Sequence, residues 1–172
     1  MGEFGEIITG STPSTSHIEY YSDDGIPWVT PTDINNNTIS DTKSKLSPLG
    51  EKVARVVPAY TILVTCIASI GKNTMLEKKG SFNQQINGII PNKNISNPYF
   101  LLTESYHWSE KIKREAGSGT MQIVNKNEFS LIETYTPSLL EQKEIGNYFR
   151  TLESSITLHH RKLVALNSGG YR

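Results

Sequence analysis

The chain of 172 residues is long enough to bury one hydrophobic core and leaves little room for a second, so we expect one globular domain with an appendage. Its 17 basic and 17 acidic side chains cancel, which argues against a histone-like protein that attracts nucleic acid through overall charge. The balance is uneven along the chain. Residues 1–60 carry 8 acids and 4 bases, whereas residues 61–130 carry 5 acids and 8 bases, so the middle of the chain is modestly basic.

Signals for metal sites, disulfides and membrane attachment are missing from the sequence. Cys66 is the single cysteine and lies in an apolar run, which excludes a disulfide within the chain and predicts a buried, small hydrophobic residue. The four histidines do not have the spacing of metal ligands. We therefore expect no bound metal. Because the apolar runs are shorter than the roughly 18 residues of a membrane span, and the first residues do not resemble a secretory signal, we also expect a cytoplasmic protein.

The first part of the chain is predicted to form β structure. Residues 7–46 are rich in Thr, Ser, Pro, Asn and Asp, and they contain short extended pieces such as residues 26–30 between turn signals. Runs with many β-branched side chains follow at residues 54–57, 61–68 and 86–90. Such runs, separated by glycines, are typical of strands in a compact sheet.

A helix is predicted next, between Asn97 and Ala116. Asn97 suits the capping position and Pro98 suits the first helical position. The apolar residues that recur with helical spacing are Phe100, Leu101, Leu102, Tyr106 and Ile112. Residues 117–120 then predict a flexible turn, and residues 121–124 and 131–135 predict extended segments.

The last predicted element is a long amphipathic helix from Leu139 to Asn167. Ser138 and Glu141 form a capping box, a pattern that marks a helix start. The apolar stripe that follows recurs at steps of four and three residues, which is typical of a coiled-coil seam. Its members are Ile145, Phe149, Leu152, Ile156, His159, Leu163 and Leu166. At about 1.5 Å per residue the rod is about 43 Å long, comparable to the domain that would cover it, so we predict that it pairs with a partner helix.

Catalytic motifs are few. Asn97, Pro98, Tyr99 and Phe100 resemble the Asn-Pro-Pro-Tyr/Phe motif of amino-methyltransferases, but the second proline is missing. The glycine-containing residues 117–122 end in the wrong residue for a cofactor loop and follow a predicted helix instead of a strand. The sequence also contains neither a Gly-x-Ser-x-Gly elbow nor a phosphate-binding loop. An adenine-N6 methyltransferase fragment and a coiled-coil interaction module that binds no DNA stay as alternative interpretations.

Five blocks in chain order resemble the specificity subunit of type I restriction-modification enzymes, and together they cover nearly the whole chain. The blocks are residues 10–14 with Tyr20 and Tyr21, residues 25–34, residues 68–72, residues 80–87 and residues 139–145. Each block is a weak match by itself. Their number and their order make the resemblance specific.

The resemblance implies an α+β fold in which a compact, β-rich target recognition domain, with mixed or antiparallel strands, precedes a long coiled-coil-type helix. We expect the DNA-binding domain over residues 1–137 and the spacer or dimerisation helix with its tail over residues 138–172. The implied function is sequence-specific recognition of one half of a bipartite DNA target, which directs adenine methylation and DNA restriction by partner subunits. The chain itself is then not an enzyme and binds no cofactor, while S-adenosylmethionine, ATP and Mg²⁺ are expected on the methylation and restriction (motor) subunits.

The resemblance implies that a complete subunit of this family contains two recognition domains and two helices in one chain, whereas this sequence contains one of each. We therefore expect two copies to pair through their C-terminal helices as an antiparallel homodimer. A two-fold pair would reproduce the arrangement that the duplicated chain makes internally.

Candidate DNA contacts fall in two kinds of segment. Among residues that resemble the family, Lys72 is predicted to meet a phosphate. Asn83, Gln84 and Gln85 are predicted to make amide contacts with an adenine edge or a phosphate, with a polar network that holds a turn as the alternative. Base choice is expected from segments that do not resemble the family, namely residues 35–37, 111–114 and 118–120. Their candidate side chains are Lys111, Lys113, Arg114, Ser118 and Thr120, although the three cations also fit an exposed helix face.

Overall fold

A computed structural model of the protein describes residues 1–67, 70–117 and 124–168, including every side chain except those of residues 115–117 and 165–168. Nine strands and four α-helices lie in these ranges. The strands are β1 (Gly5–Thr9), β2 (Tyr21–Val29), β3 (Thr38–Ile39), β4 (Lys45–Leu46), β5 (Val56–Val57), β6 (Ile62–Thr65), β7 (Asn73–Leu76), β8 (Gly80–Phe82) and β9 (Ile86–Pro91). The helices are α1 (Pro48–Val53), α2 (Pro98–Gly117), α3 (Lys126–Leu131) and α4 (Leu139–Ser168).

The strands form two mixed sheets. A five-stranded sheet has the order β1-β9-β6-β7-β3, and a four-stranded sheet has the order β4-β2-β8-β5. The β2–β8 and β3–β7 pairs are parallel, whereas the other pairs are antiparallel. Together with the long C-terminal helix, these mixed sheets confirm the predicted α+β class.

Hydrophobic clusters cover both faces of the five-stranded sheet. β6 runs through the middle of this sheet, so its side chains alternate between the two faces and all four are buried. Ile62 and Val64 join a cluster with α2 and α3, whereas Leu63 joins a cluster with side chains of the smaller sheet. The larger sheet is therefore enclosed between helices on one side and the smaller sheet on the other.

Cys66 follows β6 and is buried, as predicted. Its Sγ accepts a hydrogen bond from Asn87 Nδ2 at 3.2 Å. Burial raises the pKa of the thiol to about 11, which keeps it protonated at neutral pH and removes the thiolate that nucleophilic chemistry requires.

Two short helices lie where the sequence pattern predicts none. α1 begins after Ser47, whose Oγ accepts from the amide of Gly50, and ends at Val53. The strand predicted over residues 54–57 is shorter than expected, because β5 covers only Val56–Val57. α3 begins with a capping box made by Asn125 and Glu128. Because α3 ends at Leu131, the extended segment predicted from residue 131 is wrong at its start, and residues 132–138 form neither strand nor helix. Most of the extended segment predicted over residues 121–124 lies outside the described residues.

Both predicted long helices are confirmed. The Oδ1 of Asn97 accepts from the amide of Phe100 at 3.1 Å at the start of α2. Ser138 Oγ accepts from the amide of Glu141 at 3.3 Å at the start of α4. The first turns of α4 pack on α2, and Gly146 permits this close approach, since a Cβ there would lie 2.6 Å from Asn97 Oδ1.

The predicted seam of α4 is divided between the domain and solvent. Ile145 packs on the core of its own domain, so its assignment to a partner helix is corrected: the first turns of α4 are already covered within the chain. Further along, Phe149, Leu152 and Ile156 line a groove of about 400 Å³ between α2 and α4. They remain 46%, 42% and 62% exposed, and Leu163 is 59% exposed. The side chain of Leu166 lies outside those described.

No helix in the described residues is long and apolar enough to cross a membrane.

Candidate nucleic-acid interface

Connecting segments meet at one end of the five-stranded sheet, which we call the loop end. β6 and β7 form an antiparallel hairpin, so residues 66–67 and 70–72, which we call the β6–β7 turn, lie at the end where β6 stops and β7 starts. β9 is antiparallel to β6 and starts beside its last residue, which brings residues 83–85 to the same end. β3 is parallel to β7, so residues 30–37, which precede β3, lie there as well. Loops held by a rigid sheet in this way are common positions for binding residues.

α2 forms one side of the loop end because it is fastened to β7. Asn73 Nδ2 donates to the Ser105 carbonyl at 3.0 Å, and Ser109 Oγ donates to Asn73 Oδ1 at 2.8 Å. These bonds occupy both ends of the Asn73 amide. The second half of α2, which contains Lys111, Lys113 and Arg114, therefore lies beside the β6–β7 turn.

An open hollow of about 380 Å³ lies between residues 34–37, the β6–β7 turn and α2. Lys72 and Lys113, both predicted to contact DNA, line this hollow together with the asparagines of residues 35–37. The other lining residues are Ile34, Gly71, Asn73, Tyr106, Ser109 and Glu110. Three of the segments assigned to DNA from the sequence thus converge on one concave surface.

Hydrogen bonds organise the segment of residues 30–37. Asp33 Oδ2 accepts from the amide of Thr30 at 2.8 Å and from its Oγ1 at 2.6 Å. Asn35 Nδ2 donates to the Thr32 carbonyl at 2.7 Å. Asn37 holds the end of the segment, because its carbonyl accepts from the amide of Met75 at 2.9 Å. The segment is therefore preorganised without a ligand.

Tyr106 has a role that its helical spacing does not predict. It belongs to the apolar series of α2, yet 47% of it is exposed and its hydroxyl donates a hydrogen bond to Asn37 Oδ1. Burial, with a smaller contribution from the Glu153 carboxylate, raises the pKa of Tyr106. The hydroxyl thus stays a donor at neutral pH, and the one hint in the sequence is that tyrosine adds a polar group to an apolar face.

The β6–β7 turn presents Lys72 to the hollow. Gly71 adopts φ +80°, a conformation that L side chains rarely adopt, and the aliphatic part of Lys113 lies against it. The amide of Lys72 donates to Thr65 Oγ1 at 2.9 Å, which anchors the backbone of the turn. The side chain of Lys72 is exposed.

The cations of α2 are partly neutralised by Glu110. Lys113 Nζ lies 2.7 Å from Glu110 Oε1, and this hydrogen bond lowers the pKa of the Glu110 carboxyl. Arg114 Nε donates to the Glu110 carbonyl at 3.3 Å. Lys111 is exposed and does not line the hollow. These contacts fit the alternative interpretation, in which the three cations belong to an ordinary exposed helix face. Contact of Lys111, Lys113 and Arg114 with DNA stays a prediction.

Asn83, Gln84 and Gln85 form a tight turn at the loop end. Asn83 Oδ1 accepts from the amide of Gln85 at 2.6 Å, and the Gln85 carbonyl accepts from the amide of Cys66 at 2.9 Å. Gln84 is exposed and does not line the hollow. The bond from Gln85 to Asn83 belongs to a polar network that holds a turn, which is the alternative interpretation of these residues. DNA contact by the three side-chain amides stays a prediction. Ser118 and Thr120 lie outside the described residues.

Residues 1–168 match the family described as the type I restriction modification DNA specificity domain. The chain belongs to this family. It is 34% identical over 166 residues to the type I restriction enzyme HindI specificity subunit of Haemophilus influenzae, and 32% identical over 159 residues to the MjaIX specificity subunit of Methanocaldococcus jannaschii. These matches cover 91% and 87% of this chain but 36% and 37% of the two relatives. The specificity domain thus spans little more than a third of their length.

Solved structures share the fold of this specificity domain. The HsdS subunit from Thermoanaerobacter tengcongensis has a TM-score of 0.69 at 17% identity, covering 94% of this chain and 38% of that one. The type I restriction-modification S subunit from M. genitalium has a TM-score of 0.70 at 15% identity, covering 97% of this chain and 41% of that one. The arrangement of mixed sheets and a long helix is therefore that of S subunits.

Proposed function

We propose that this specificity domain reads one half of a bipartite DNA target and thereby directs adenine methylation and DNA restriction by partner subunits. One observation carries the proposal: residues 35–37, Lys72 and Lys113 line a single open hollow at the loop end. Residues 35–37 and 111–114 are candidates for base choice because they do not resemble the family, and Lys72 is a candidate for a phosphate contact. Amides suit base edges and lysines suit phosphates, so the hollow combines sequence reading with sequence-independent attraction.

In this proposal the chain has no catalytic role. Methyl transfer with S-adenosylmethionine takes place on the methylation subunit, and ATP with Mg²⁺ serves the restriction subunit. The methyltransferase alternative rests on Asn97 and its neighbours, but the Asn97 side chain caps α2 and its amide donates to Gln142 Oε1 at 3.0 Å. The side chain is therefore engaged in capping α2, and the backbone amide is engaged in joining α2 to α4. Binding of S-adenosylmethionine by the isolated chain would favour the alternative.

The proposal includes pairing of two copies through α4. From Phe149 to Leu163 the seam residues are exposed, and all of them except His159 are apolar. His159 Nδ1 lies 3.0 Å from the Ser155 carbonyl. Exposed apolar residues at heptad spacing are the usual surface of a coiled coil. An antiparallel pair would place one loop end on each side of the joined helices, as reading of two separated half-sites requires.

Co-expression with a type I methylation subunit tests the proposed function. Methylated adenines are mapped across the host genome, and cells that express the methylation subunit alone are the control. We expect new methylation at a split motif, and a palindromic motif where two identical copies act together. An unchanged methylation pattern would contradict the proposal.

A further inference from the structure

We infer that Asn36 is the side chain of the hollow that reads a base, and that the base is an adenine. The inference rests on the proposed function and adds the reading residue and its target to it. Asn36 is exposed and lines the hollow between residues 34–37, the β6–β7 turn and α2. Other polar side chains of the hollow already make hydrogen bonds or ion pairs within the fold.

Each neighbour of Asn36 has one end of its side-chain amide engaged within the fold, so it cannot make a bidentate contact without losing a bond. Asn35 Nδ2 donates to the Thr32 carbonyl at 2.7 Å. Asn37 Oδ1 accepts from the hydroxyl of Tyr106. A group that already has a partner must break that bond before it contacts DNA, and the lost bond offsets the gain. These two asparagines therefore shape the segment, and Asn36, which is exposed, lies between them.

The α2 side of the hollow is engaged in the same way. Asn73 uses both ends of its amide on Ser105 and Ser109. Glu110 and Lys113 form an ion pair at 2.7 Å. Among the described residues, none makes a hydrogen bond or ion pair with the side chain of Asn36 or with the ammonium of Lys72. The side chains of Asn36 and Lys72 can therefore use all their polar atoms on a ligand without losing a bond to a described residue.

The chemistry of the two free groups separates their roles. A lysine ammonium is a point charge that meets phosphates and carries little sequence information. A carboxamide has one acceptor and one donor side by side, which matches N6 and N7 of adenine in the major groove. Asn36 also lies on a segment fixed at both ends, by Asp33 with Thr30 and by Asn37 with Tyr106. The entropy lost on binding is therefore small.

Selection from a randomised duplex DNA library tests this inference, with the full chain used alone and together with the methylation subunit. Asn36→Ala removes the amide, whereas Asn36→Asp keeps the acceptor and removes the donor. Asn94→Ala is the matched control, because Asn94 is also exposed, lies beyond the opposite end of β9 and makes no side-chain hydrogen bond to a described residue.

We expect the wild-type chain and Asn94→Ala to enrich the same motif. Asn36→Ala should lose preference for an adenine at one position by roughly tenfold or more, as for other bidentate amide contacts, with the remaining positions unchanged. Asn36→Asp should shift that position toward cytosine, whose N4 donates to a carboxylate. An unaltered motif, a uniform loss of binding to all sequences, or a change at a base other than adenine would each overturn the assignment.

The two proposals fail in different ways. If the wild-type chain enriches no motif in either arrangement, DNA reading itself is wrong and the assignment of Asn36 falls with it. If the wild type enriches a motif that Asn36→Ala also enriches, the proposed function stands and only the assignment is wrong. Circular dichroism of each variant separates loss of contact from loss of fold.

Discussion

Lys72 is a cation of the hollow whose ammonium has no acidic partner among the described residues. It is carried by a turn that Gly71 makes possible and that Thr65 anchors. Lys113, in contrast, lies in an ion pair with Glu110. Of the two lysines, Lys72 is therefore the stronger candidate for a phosphate contact, because its charge is not offset nearby.

Lys72→Ala is expected to weaken binding to all DNA sequences alike. Loss of one phosphate contact should lower the slope of log affinity against log salt concentration by about 0.9. Lys93→Ala is the matched control, since Lys93 is exposed but lies beyond the opposite end of β9. Titration of labelled duplexes at several salt concentrations measures both variants. An identical salt slope for Lys72→Ala and wild type would exclude the phosphate role.

The sequence indicates residues 35–37 as candidates for DNA contact. It does not show which of their side chains form hydrogen bonds within the fold and which do not. Asn36 and Asn37 have the same chemistry and adjacent positions. Asn37 is occupied because Tyr106, 69 positions further along the chain, donates to it. A contact between residues so far apart depends on the packing of α2 against the sheet, and no local pattern contains it.

At the scale of elements, the join between α2 and α4 depends on one buried amide. Gln142 is almost fully buried, and its Nε2 donates to the carbonyls of Ile95 at 3.1 Å and Pro137 at 3.0 Å. Its Oε1 accepts from the amide of Asn97 at 3.0 Å. The block of residues 139–145 that resembles the family thus contains a residue that fastens the helix to the domain.

Gln142→Glu is expected to lower the free energy of unfolding by about 3 kcal/mol. The carboxylate keeps the acceptor for Asn97 but places negative charge against two carbonyls that lose their donor. Urea unfolding measures the change, and Glu144→Gln, a substitution at an exposed position two residues further along α4, is the control. Equal stability of Gln142→Glu and wild type would show that the three bonds do not hold the join.

The capping signals of α2 and α4 are local, which explains why both helices are predictable. α1 and α3 have six residues each, and their starts depend on the caps Ser47 and Asn125 within segments that are otherwise rich in turn residues. Short helices have too few residues for a periodic pattern to emerge. Their existence is decided mainly by the surfaces that they cover.

For the whole molecule, the exposed seam of α4 is an apolar surface that the described fold leaves uncovered. The domain covers Ile145 but leaves Ile156 and Leu163 largely exposed. A helix that extends past its own domain gains stability when a second apolar surface covers it. The spacer role assigned to α4 therefore depends on association.

Ile156→Glu is expected to abolish self-association, because it places a charge in the middle of the seam. Leu158→Glu is the matched control, since Leu158 is 57% exposed on the same helix but lies outside the seam. Light scattering at tens of micromolar measures the mass of each variant and of the wild type. A wild-type chain that remains monomeric at this concentration would contradict the pairing proposal.

The amino-acid sequence is sufficient for the two long helices and the heptad spacing of α4, because each follows from periodicity and capping within a short stretch of chain, and the family resemblance implied the class of the fold. The five blocks in chain order were also sufficient to indicate the family. Tertiary structure decided which segments share the loop end, which part of the seam the domain covers, and which amide of residues 35–37 is free. The reason is physical: strand pairing between distant residues sets where loops meet, and long-range hydrogen bonds such as that from Tyr106 to Asn37 decide which polar groups remain available.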